Sequence, residues 1–203
     1  MKYFWRILGF LFGASAYALP AHNLLIQKLQ SIHTLDAQFH QSVSMNGRLS
    51  HQSLGHFSLK KPDLLYWDIQ KPHTQLLIAD GHYVWVYEPQ LRQVTKKNQS
   101  KGFGGVAGLF VSGQPNLWVT RYQVQAQSNG HTTIFQLMAK SKKNSLPKVK
   151  LGFRGESLEK IEFWDQLGQY SQIQLSHVKV NQGIPSRLFH FSIPKGVDVI
   201  NLG

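Results

Sequence analysis

Cysteine is absent from all 203 residues. Disulfides, thiol nucleophiles and thiolate metal sites are thereby excluded, and the N-terminal leader lacks the cysteine that a lipid-anchored bacterial lipoprotein carries at its cleavage site, so no lipid anchor is expected. Acidic residues are scarce, ten against 22 Lys and Arg, for a formal net charge of +12. Long apolar runs are also missing beyond the leader, because Lys, Arg, Asn or Gln interrupts each one. Catalytic patterns are absent as well. The ten histidines form no H-x-H or H-E-x-x-H pair, Ser58 and Ser112 sit in no G-x-S-x-G elbow, and Asp63, Asp68, Asp80 and Glu88 fall in turns or at strand ends. No metal or cofactor is expected.

The leader itself is legible. Lys2 and Arg6 form a positive n-region, Ile7 to Gly13 an apolar h-region, and Ala16-Tyr17-Ala18 an A-x-A cleavage site. Its apolar run falls short of the roughly 20 residues a membrane-spanning helix needs. Residues 1–18 are expected to be a cleaved signal peptide, with a rival cut after Ala16, and 19–203 a single exported, soluble domain. Without Lys2 and Arg6 the basic residues number 20 against the same ten acids. Export argues against a nucleic-acid partner, which leaves two readings of the charge: a solvated face, or a surface that meets anionic lipid head groups.

Leu54 to Val94 organises the chain. Phe57, Leu59 and Lys61 share one phase of a period-2 strand; after Pro62-Asp63, so do Leu65, Trp67 and Ile69. Lys71-Pro72 closes that strand, Gln75 to Ala79 runs into Asp80-Gly81, a dipeptide suited to a type I′ hairpin, Tyr83 to Tyr87 follows, and Leu91 to Thr95 returns after Glu88-Pro89. The meander carries more aromatic surface than one sheet face hides, so something apolar has to cover it.

Around it, Pro20 to Ile32 is predicted to be an amphipathic helix, with Leu25, Leu29 and Ile32 at i, i+4 and i+7, serving as a lid on the sheet. Leu35 to Val43 is a first strand ending at the Asn46-Gly47 hairpin signal. Lys96 to Lys101 reads as a basic loop. Gly102, Gly104 and Ala107 match G-x-G-x-x-A only formally, since no buried strand precedes them; the glycines of 102–113 suit a loosely packed helix or loop instead. Strand-length runs follow at Trp118–Val124, Thr132–Met138, Lys148–Phe153, Lys160–Trp164, Tyr170–Leu175, Leu188–Ile193 and Val197–Ile200, with turn chemistry at Gly168 and Asn181 to Pro185. The fold class is mainly β with an α lid: about eleven antiparallel strands in one curled sheet, capped on its hollow side by two or three helices. Phe39, Phe57, Leu59, Leu65, Trp67, Ile78, Trp85, Leu109 and Phe110 are candidates either for the core between sheet and helices or for the lining of a cavity suited to acyl chains.

The succession G-x-F-x-L-K-K-P-x-L-L-x-W from Gly55 to Trp67, then Pro72, Asp80-Gly81 and VWVYEPQLRQV at 84–94, resembles the periplasmic outer-membrane lipoprotein carriers of the LolA family. FHFSIPKGVDV at 189–199 is similar to that family's C-terminal signature. The resemblance implies an incomplete, strongly curved β-barrel with a helical lid over an apolar cavity. It implies a monomeric, non-enzymatic periplasmic chaperone that takes triacylated lipoproteins from an inner-membrane lipoprotein-releasing ABC transporter and passes them to an outer-membrane acceptor. It also implies that the family's functional arginine falls on Lys61 and an aromatic used in acceptance falls on Leu65; both are departures. Lysine keeps the charge without the planar fork, and leucine keeps apolar bulk without the ring. The rival readings are a lipid-sensing module like the carrier-like domain of envelope-stress regulators, the acceptor of the same pathway, and a secreted hydrolase.

Overall fold

The computed structural model describes residues 20–101, 108, 110 and 114–202; the predicted leader, Leu109 and most of the glycine-rich stretch lie outside the described residues. Helix α1 spans Ala21–Ser31, within the predicted limits, with Pro20 at its N-cap. A first meander then runs through β1 (Thr34–Met45), β2 (Arg48–Lys60), β3 (Leu64–Lys71), β4 (Gln75–Asp80), β5 (Tyr83–Glu88) and β6 (Gln93–Asn98). Helix α2 (Asn116–Arg121) leads into a second, β7 (Tyr122–Asn129), β8 (Thr132–Ala139), β9 (Lys148–Arg154), β10 (Ser157–Trp164) and β11 (Tyr170–Val180), before the terminal β12 (Asp198–Asn201).

All twelve strands form one sheet in the order β12-β6-β5-β4-β3-β2-β1-β11-β10-β9-β8-β7. The two meanders join where β1 pairs with β11, and β12 lies parallel to β6. No ladder links β7 to β12 among the described residues, so the sheet curls without closing. Register shifts at Asp36/Gln38, Val43/Ser44, Leu54/Gly55 and Leu158/Lys160 are bulges of the kind that deepen such coiling.

The hairpin signals resolve differently. Asn46 and Gly47 take φ of 53° and 75°, the paired positive values a two-residue type I′ turn demands. At Asp80-Gly81 only the glycine has positive φ (94°), so the expected type I′ geometry does not form. Asp80 acts through its side chain, whose Oδ1 accepts from the His82 and Tyr83 N–H groups at 2.8 and 2.7 Å. The predicted strand at 188–193 is instead a 3-10 turn at Ser186–Phe189 followed by irregular chain. Trp118 lies in α2 rather than in a strand, and β6 continues to Asn98 through the expected basic loop.

The sheet buries two apolar layers. Its inner face packs against α1, α2 and Phe110. Its outer face, over β3 to β6, is covered by the C-terminal segment: Phe191 stacks 5.5 Å from Trp85 and 6.0 Å from Tyr87, and Phe189 is buried. Cover on both faces explains why this meander alternates apolar with apolar.

Candidate functional site

The floor of the hollow is set by register. Leu65 pairs with Leu59 on β2 and Ala79 on β4, and Ala79 pairs with Val84 on β5, so these side chains point to one face. Leu65 and Ala79 are 0 % exposed. Trp67 stands beside them, its ring 4.9 Å from Phe39 and 5.2 Å from Phe57. The ring of Phe39 lies over Gly55, where a Cβ would come within 2.8 Å of it and 1.9 Å of the Asp68 carbonyl oxygen. Glycine at 55 is therefore what lets this aromatic floor lie flat on a bulged strand.

The lid fills the space above. Leu25 and Leu29 from α1, Ile32 just after it and Trp118 from α2 join the same buried cluster as Phe39, Phe57, Leu59 and Leu65, and Phe110 packs edge-on to Trp118 at 5.1 Å. Of the nine candidates for the lining, Phe39, Phe57, Leu59, Leu65, Trp67 and Phe110 thus meet around one apolar space. Leu109 lies outside the described residues. Ile78 and Trp85 do not belong to this space: they pair with each other, in phase with Tyr66, and face the outer layer beneath the C-terminal segment. Period 2 alone could not separate Ile78 and Trp85 from Leu77 and Val86, because both phases of β4 and β5 are apolar.

Polar contacts hold the C-terminal half of α1. Lys61 donates through Nζ to the Leu29 carbonyl in the last turn of the helix, where a cation also complements the helix dipole. Asn181, with φ of 56°, accepts at Oδ1 from the His33 N–H at 2.7 Å and donates from Nδ2 to Ser31 O at 2.6 Å. Lys28 donates to Gly155 O at 2.8 Å and to Glu156 at 2.9 Å. In the sequence Lys61 is singled out by the family resemblance, and the phase it shares with Phe57 and Leu59 turns it toward the hollow although it stands one residue beyond β2. Asn181 reads from sequence only as a turn residue and Lys28 carries no signal, since their partners lie more than a hundred residues away in sequence. At the end of the hollow remote from Lys61, a cleft of about 390 Å³ opens among His51, Ile69, His73, Gln75, Glu88 and Leu91.

Burial lowers the Lys61 ammonium from its usual 10.5 to about 8. Between about pH 8 and 10.5 the folded protein has released this proton while the unfolded chain still binds it, so stability rises with pH across that window. Thermal unfolding of the wild type and of Lys61→Met is expected to differ there: the wild type gains relative to the variant as pH rises from about 8 to about 10. A constant difference would mean that the lysine is solvated.

Polar groups that would serve hydrolysis are arranged otherwise. On the outer face, Ser58 donates to Asp36 Oδ2 at 2.6 Å and His56 Nε2 donates to the same oxygen at 2.8 Å. Ser58 is fully buried and bonded to the acid rather than to the imidazole, so no Ser–His relay exists at this cluster.

The model of the outer membrane lipoprotein carrier protein LolA matches residues 30–192 of this chain. The chain belongs to the LolA family. An outer-membrane lipoprotein carrier protein of Legionella pneumophila (strain Lens) is 37 % identical over 200 residues, 98 % of this chain and 99 % of that one. The carrier protein of Dechloromonas aromatica (strain RCB) is 34 % identical over 173 residues, 85 % and 83 % of the two chains. Among solved structures, an uncharacterized conserved protein from Thermus thermophilus superposes with a TM-score of 0.54 at 12 % identity, covering 89 % of this chain and 96 % of its own. A chain of the Pseudomonas aeruginosa MucA/MucB complex reaches 0.51 at 9 % identity, covering 84 % and 59 %. At such identities these two show a shared fold alone. The LolA fold is what the register describes, an open curled sheet with a helical lid. Within it, Lys61 occupies the rim under the lid and Leu65 the floor.

Proposed function

We propose that this protein is a periplasmic carrier that shields the acyl chains of lipoproteins between the sheet floor and the helical lid. The observation that carries the reading is the division of contacts on α1. Its inner face touches the floor through leucine side chains, continued by Ile32 just past its end, while directional hydrogen bonds gather toward its C-terminal half. Acyl chains can replace the apolar contacts without leaving a polar group unsatisfied, and the tethers keep the helix attached as it yields. The lid then exchanges between covering the floor itself and covering cargo.

A carrier of this kind answers a physical need. Three acyl chains of roughly 15 methylenes each, at about 0.8 kcal/mol per methylene, cost on the order of 36 kcal/mol to bring bare into water. Loose shelter removes most of that barrier, and release requires that the shelter stay loose. The leader would be removed on export, leaving a single domain from about Leu19. The cargo would be triacylated lipoprotein, received from an inner-membrane ABC transporter and passed to an outer-membrane acceptor by a monomeric carrier. The names of the Legionella and Dechloromonas relatives and the family match support this reading.

Purified from the periplasm, the protein is expected to carry triacylated lipoproteins detectable by mass spectrometry, and its depletion to strand lipoproteins at the inner membrane. Recovery of free fatty acid alone, with lipoprotein sorting intact on depletion, would sink the proposal and favour a lipid-sensing module.

A further inference from the structure

We infer that the end of the sheet bearing the β10–β11 turn is a docking face for anionic lipid bilayers, with Leu167 as its apolar tip. Leu167 is 82 % exposed, yet the turn presenting it is firmly built. Asp165 Oδ1 accepts from the Leu167 and Gln169 N–H groups, both at 2.9 Å, and Gly168 takes the positive φ (79°) that closes the loop. Gln166 donates to the carbonyls of Lys142 and Asn144 at 3.2 and 3.1 Å, which fixes the β8–β9 loop and its exposed Lys142 and Lys143 beside the tip. A single exposed leucine is ordinary. One held out by a hydrogen-bonded turn between lysines has a partner to meet.

The strands behind the tip extend the pattern. A register row crosses the outer face from Leu49 through Ser44, Tyr170, Trp164 and Lys148 to Met138. Leu49 is 57 % and Met138 43 % exposed. Trp164 and Tyr170 stack at 4.8 Å, with Lys148 Nζ 4.4 Å from the indole centroid. Aromatic pairs with snorkelling lysines around a projecting leucine match the boundary between acyl chains and head groups. The charge selects anionic lipid. Of the nearby acids, Glu162 accepts from Tyr170 at 2.6 Å and is paired with Lys160 at 3.4 Å, so Lys142, Lys143 and Lys148 face only the charge of Asp165, which caps the turn. Among the described residues, neither Lys142 nor Lys143 pairs with a carboxylate. The cleft at His51 and Ile69 opens at this same end.

The test is sedimentation of the processed, exported protein with vesicles of phosphatidylcholine containing a quarter phosphatidylglycerol, at about 50 mM salt. Binding is expected to fall at least tenfold for Leu167→Glu and about twenty-fivefold for Lys142→Gln/Lys143→Gln, which removes two charges at on the order of fivefold each. It is also expected to fade at high salt and to be absent on pure phosphatidylcholine. These side chains are exposed, so the variants should unfold at the wild-type temperature. Equal binding by wild type and variants, or equal binding to both vesicle types, would overturn the inference. So would failure to bind anionic vesicles by protein that still loads acyl cargo; that result would leave the carrier reading intact.

Discussion

Leu65→Glu is expected to lower lipoprotein loading per folded molecule by about a hundredfold, while Lys60→Glu changes it by less than about twofold. Leu65 is 0 % exposed at the centre of the floor, between Leu59 and Ala79. A carboxylate there has no cation partner on the floor, and an unpaired buried charge costs several kcal/mol or forces protonation. Its hydration shell would also hold water where an acyl chain has to lie. About 2.7 kcal/mol of lost affinity already corresponds to a hundredfold. Lys60 pairs with Leu64 at the strand end, in the opposite phase, so reversing its charge leaves the floor dry.

The control for folding is Leu65→Met, which conserves volume and costs less than about 1.5 kcal/mol. It should load normally. Near-ultraviolet circular dichroism gives the folded fraction by which loading is normalised. Equal losses for Leu65→Glu and Lys60→Glu would mean that Leu65 does not line the cargo space. If apolar bulk without a ring suffices at this position, Leu65→Phe will load no better than wild type.

Gly55→Ala is expected to be the most destabilising glycine-to-alanine change among the described residues, lowering the melting temperature by about 10 °C. The added Cβ would lie 1.9 Å from the Asp68 carbonyl oxygen and 2.8 Å from two atoms of the Phe39 ring. Neither neighbour yields easily. The carbonyl belongs to the backbone of β3 at the Leu54/Gly55 bulge, and the ring is wedged against Trp67. Overpacking costs about 1 to 3 kcal/mol where side chains can move, and more where backbone blocks the way; in a domain of this size each kcal/mol shifts melting by about 2 to 4 °C. Gly152 gives the comparison: a Cβ there meets the Lys160 Cβ at 3.3 Å, close but movable, and Gly152→Ala should cost far less. Thermal unfolding of both variants decides the matter, and equal melting temperatures would show that the Gly55 bulge relaxes freely.

Taken alone, the sequence determined the parts of this protein that depend on near neighbours. Alternation at 57–61 and 65–69 reflects the pleat of a single strand, so it correctly placed Phe57, Leu59, Leu65 and Trp67 in one phase and brought Lys61 to the rim. The Asn46-Gly47 turn and the apolar stripe of Leu25, Leu29 and Ile32 were legible for the same reason, and the long motif from Gly55 to Trp67 carried the family. Only the tertiary structure decided which phase of β4 and β5 faces the hollow. Ile78 and Trp85 are as apolar as Leu77 and Val86, and the pairing of Leu65 with Ala79, together with a C-terminal segment that returns to cover the outer face, puts them on the far side. The tertiary structure likewise decided that Asn181 and Lys28 hold the lid and that Leu167 stands among lysines from a neighbouring loop. A strand's period is set by its own backbone, whereas contacts between residues a hundred positions apart exist only once the whole sheet has curled and fixed its register.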